Sequence, residues 1–139
     1  MSMRNLARPL LASWFVYAGI ESIVNPHDRA ERSAPVVEPL LEEAGVTTPL
    51  PTLVQAHGVA TVAAAAALAA SKSPRLAGTA LAGLTALTVI AGRPFWLEED
   101  EYEREAEREQ FVKNVSLLGA AMLAASVGNS RRRRKKRRR

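Results

Sequence analysis

Residues 53–70 read LVQAHGVATVAAAAALAA, a stretch with no Asp, Glu, Lys or Arg. No clean polar stripe at helical period divides it. A helix that is apolar all round is either a membrane span or the core of a large protein. At 1.5 Å per residue, such a stretch approaches the length needed to cross a hydrocarbon layer about 30 Å thick. Three further stretches of similar character flank it: Leu6 to Val24, which stops at Asn25-Pro26, Leu76 to Phe95, and Phe111 to Val127. A chain of 139 residues has no larger body in which to bury four such helices. The expectation is an all-α fold, an integral membrane four-helix bundle with a surface helix between spans 1 and 2. The competing reading is a soluble bundle of Ala-rich helices, because alanine is only weakly apolar.

Charge supports the first reading and gives it an orientation. The formal net charge is +5, yet the last nine residues are all basic, and without them the balance is −4. A mean hydropathy near zero therefore averages apolar spans with a charged tail and acidic loops. With four spans, both termini share one side with the loop between spans 2 and 3. That side holds Arg4, Arg8, Lys72, Arg75 and the tail, thirteen basic residues and no acidic one. Every Asp and Glu except Glu21 falls in the loops of the other side, and Glu21 lies at the outer end of span 1. Lys and Arg near span ends stay cytoplasmic, so the expected location is the cytoplasmic membrane with both termini inside. Arg4 and Arg8 also suit a signal-peptide n-region. However, Ala18-Gly19-Ile20-Glu21 offers no small-x-small cleavage site, so the first segment reads as a retained span.

Two domains follow: residues 1–129 as the four-span membrane domain, and 130–139 as a disordered polybasic cytoplasmic tail. The tail residues Arg131, Arg132, Arg133, Arg134, Lys135, Lys136, Arg137, Arg138 and Arg139 are read as a contact for anionic lipid, at about 1 kcal/mol each near the surface. Nucleic acid is the less favoured partner, since no aromatic residue is interleaved for base stacking. Between spans 1 and 2, Pro35 to Ala44 predicts a short amphipathic surface helix with Val36, Val37, Leu40 and Leu41 on one side. Glu98 to Gln110, with Arg104 and Arg108 interleaved, predicts a solvated helix leading into span 4, with Glu101 and Glu105 paired to those arginines.

Cysteine is absent, which excludes a disulfide framework and thiol chemistry. No P-loop, dinucleotide fingerprint, HExxH or Gly-x-Ser-x-Gly motif is present, so no catalytic residue and no metal site is assigned. The polar residues within the apolar segments converge on the outer third: Glu21, His57, Arg93, Trp96, Lys113 and Asn114. A functional pocket would pair Glu21 with Arg93 or Lys113 and place His57 beside them as a titratable group. The plainer reading lets Arg93 and Lys113 snorkel to the headgroups, with Trp96 and Tyr102 in the interfacial belt. Gly78–Ala82–Ala86 and Ala120–Ala124–Gly128 repeat small residues at four-residue spacing, which lets helices approach closely.

Several pieces resemble the DoxX family of small bacterial membrane proteins. They are Arg8-Pro9-Leu10-Leu11-Ala12 leading to Phe15, Ala18-Gly19 and Asn25-Pro26; the small-residue-rich segment after His57-Gly58; Lys72-Ser73-Pro74-Arg75; Pro94-Phe95-Trp96; and Phe111-Val112-Lys113-Asn114 followed by Leu117-Leu118-Gly119. The resemblance covers about residues 6 to 127. It implies four spans with cytoplasmic termini. It also implies a non-catalytic component associated with a membrane redox or oxidative-stress complex. The alternatives are a quinone-binding small subunit of a membrane oxidoreductase, with quinone as its cofactor at the outer pocket, or a small-solute carrier. The resemblance carries no catalytic set over to this chain.

Overall fold

The computed structural model describes residues 3–70, 73–92 and 95–126; the side chains of residues 4, 5 and 92 are not described. Among these residues the secondary structure is entirely helical. Five α-helices follow in order: α1 Met3–Val24, α2 Pro26–Glu43, α3 Leu50–Ala69, α4 Pro74–Leu87 and α5 Glu101–Ser126. A π-helical segment, Thr88–Gly92, continues α4, and a 3₁₀ turn, Phe95–Leu97, precedes α5.

Prolines set several of the boundaries. Pro26, Pro51 and Pro74 each lie in a first helical turn, where a missing N–H costs nothing. Pro26 also disfavours the helical conformation at Asn25, which breaks the chain between α1 and α2 by a single residue. The surface helix expected over 35–44 therefore begins nine residues earlier, at Pro26. Pro35 and Pro39 lie inside it. It ends in a Schellman arrangement: Val46 N–H bonds Leu41 O at 2.9 Å, Gly45 N–H bonds Glu42 O at 3.1 Å, and Gly45 takes φ 68°, which glycine adopts without strain. Asp100 opens α5, its carboxylate accepting from the N–H groups of Tyr102 (2.9 Å) and Glu103 (3.0 Å).

From Glu101 on, the acidic stretch and the fourth apolar segment form one unbroken helix; it starts three residues later than the expected Glu98, because Asp100 caps it and Glu98 and Glu99 stay outside. Its pairing differs from expectation in one place. Arg108 meets Glu105 at 3.6 Å, whereas Arg104 turns back and donates to the Glu98 carbonyl at 2.9 Å instead of pairing with Glu101.

Helices α1, α3, α4 and α5 share one core of Ala12, Phe15, Ala65, Leu68, Ala77, Leu81 and Ala121. Helix α1 packs on α3, α3 on α4, and α4 on α5, while α2 lies across α3 and the π segment. Two crossings are close. A Cβ on Gly19 would lie 2.8 Å from the Gly58 carbonyl oxygen, and one on Gly58 would lie 2.7 Å from that of Gly19. A Cβ on Gly78 would lie 2.5 Å from the Ala125 nitrogen. Only hydrogen fits at these positions, which is the use of small residues at helix contacts.

Four of the seven core residues are alanine, and beyond Phe15, Leu68 and Leu81 many of the larger apolar side chains point outward. Leu10, Leu76, Leu87, Ile90 and Leu123 are all exposed. Two of the four expected spans, Leu50–Ala69 and Pro74–Leu97, are long and apolar enough to cross a membrane. Just 22% and 24% of their most apolar windows are buried within the chain. Helices α1 and α5 do not reach that mark: α1 carries Arg8, Glu21, Trp14 and Tyr17 among its apolar residues, and the first ten residues of α5 are mostly charged.

Candidate functional site

The polar residues singled out in the sequence acquire separate partners. Glu21, near the end of α1, is half-buried and accepts from Asn25 Nδ2 at 3.0 Å, one helical turn on. Nearby, Gln55 Nε2 donates across to the Ile23 carbonyl at 3.1 Å, tying the start of α3 to the end of α1. Between them these contacts satisfy polar groups close to the Gly19–Gly58 crossing.

His57 turns toward α4. Its Nε2 lies 2.9 Å from the Leu84 carbonyl oxygen. A carbonyl can only accept, so in this contact Nε2 carries the hydrogen. The same oxygen also accepts from the Thr88 hydroxyl at 3.2 Å and from the Thr88 N–H. Thr85 makes a similar back-bond to Leu81 O at 2.6 Å. Such hydroxyl back-bonds compete with the helical ladder and bend it. Directly after this concentration of donors, α4 widens into the π segment, a form that occurs mostly as single turns inside α-helices.

Lys113 does not reach Glu21. Its Nζ lies 3.6 Å from the centroid of the Trp14 ring, within cation–π range. Trp14 precedes Glu21 by seven residues along α1, about 10 Å at helical rise. The Lys113 ammonium is therefore held nearer the middle of α1 than the sequence suggested, and no carboxylate among the described residues pairs with it. Asn114 is half-buried. Arg93, the other cation proposed for Glu21, lies outside the described residues, as does the whole tail, Arg131 to Arg139.

Trp96 is exposed and joins an aromatic group. Its ring meets Phe95 edge-on at 5.4 Å and Phe111 at 6.4 Å, and Phe95 lies 5.2 Å from Phe111. These contacts fasten the 3₁₀ turn to the start of the apolar half of α5. Tyr17 adjoins Trp14, with centroids 6.0 Å apart.

Two participants were missed in the sequence. Trp14 gave no signal of its own, being one aromatic in an apolar run. The Leu84 carbonyl is a backbone group, foreshadowed only by Thr85 and Thr88. No three His, Asp or Glu residues among those described are placed to hold a metal. Compared with known protein families, curated proteins and solved structures, the chain matches none. What the arrangement offers chemically is hydrogen bonding at two helix contacts and one cation on an indole face. Among the described residues it offers no Ser or Thr hydroxyl hydrogen-bonded to a His, Asp or Glu side chain.

Proposed function

We propose that the chain is a multi-pass membrane protein, similar in plan to DoxX proteins, that acts as a non-catalytic component of a membrane redox or oxidative-stress complex. In this reading α1, α3, α4 with its π continuation, and the apolar half of α5 all lie in the bilayer. Helix α2 and the acidic start of α5 lie at its outer surface.

The observation that carries the membrane part is the outward placement of many large apolar side chains around a small core in which alanines join Phe15, Leu68 and Leu81. Leu76 is 73% exposed and Leu10 and Leu123 are each 67% exposed, while Ala65 and Ala121 are fully buried. In water this would be a wide apolar surface of the kind soluble monomers rarely show. Against lipid tails it costs nothing, and helices there associate through close packing of small residues, as Gly19, Gly58 and Gly78 do here. The redox or stress association rests on the resemblance alone.

The sorting of basic residues supports cytoplasmic termini. Reporter fusions after Lys72 and after Glu103 should give opposite signals, the first cytoplasmic. A cytoplasmic signal at Glu103, or release of the chain from membranes by alkaline carbonate, would sink the reading. Purification in mild detergent with identification of co-purifying proteins tests the association, and a stable preparation free of any redox or stress protein argues against it.

A further inference from the structure

We draw no further inference here: the strongest candidate, the exposed face of α4 formed by Leu76, Thr79, Gly83 and Leu87, is a small-residue stripe in an unpartnered apolar surface, and nothing in the structure shows what covers it.

Discussion

The two close helix crossings are built differently. Where α1 meets α3, glycine faces glycine, each approaching the other's carbonyl, and the Gln55–Ile23 hydrogen bond closes the same end of the pair. Where α4 meets α5, a single glycine, Gly78, lies against the backbone of Ala124 and Ala125. The first contact shares its closeness between two small residues and adds a polar tie. The second places the whole demand on one position. Small residues at a crossing are thus not equivalent: what matters is whether the opposing surface can give way.

That difference can be broken in order of effect. Gly78→Ala should be the most damaging, because the new methyl meets backbone atoms that cannot rotate aside; a loss of about 3 kcal/mol is expected, at the upper end for overpacking. Thermal unfolding in detergent should show it as the largest drop in Tm among these variants. Gly58→Ala should cost about 2 kcal/mol, since it meets the Gly19 carbonyl and the Ser22 Cβ, which cannot rotate, but also the Ile23 side chain, which can. If Gly58→Ala proves worse than Gly78→Ala, the asymmetry drawn here is mistaken.

His57→Leu sharpens the comparison by removing the tie between α3 and α4. The Leu84 carbonyl keeps two donors from Thr88, so the loss should be about 1 kcal/mol. Unfolding of His57→Leu with and without Thr88→Val then measures how far the donors substitute for each other; strict additivity would show that they do not. Gly83→Ala should do least, and in the opposite sense. Nothing lies within 4 Å of the added methyl, so relief of glycine's entropic penalty should raise stability by up to about 1 kcal/mol. A destabilised Gly83→Ala would mean that this face is covered in the assembled protein.

Much of the fold was legible because apolar runs, prolines and charges speak directly of helix positions. The segment ending at Asn25-Pro26, the charged lead-in to the fourth segment (though it begins at Glu101, not Glu98), and the small-residue contact at Gly78 all emerged from spacing and composition. The start of α2 did not, because prolines at 35 and 39 argue against a helix that in fact runs through them. Lys113 was placed too near Glu21 because counting residues from one helix end assumes that all helices begin at the same level. Its contact with Trp14 depends on how far α5 is displaced along its axis against α1, which no pattern within either segment records. The Glu21–Asn25 bond, by contrast, lies within one turn and was open to local reasoning.

The π segment after Leu87 has a consequence for how this chain tolerates change in length. A π turn holds one residue more than the α-helical ladder needs, so it behaves as an insertion absorbed in place. The end of the π segment is thereby rotated by about 100° relative to an uninterrupted helix. Phe95 and Trp96, which meet Phe111, follow it in the chain. Deleting one residue between Thr88 and Ala91 would restore the regular ladder and swing both rings away from α5. The bulge is thus a phase adjuster, and the aromatic contact downstream is the feature that keeps its length fixed.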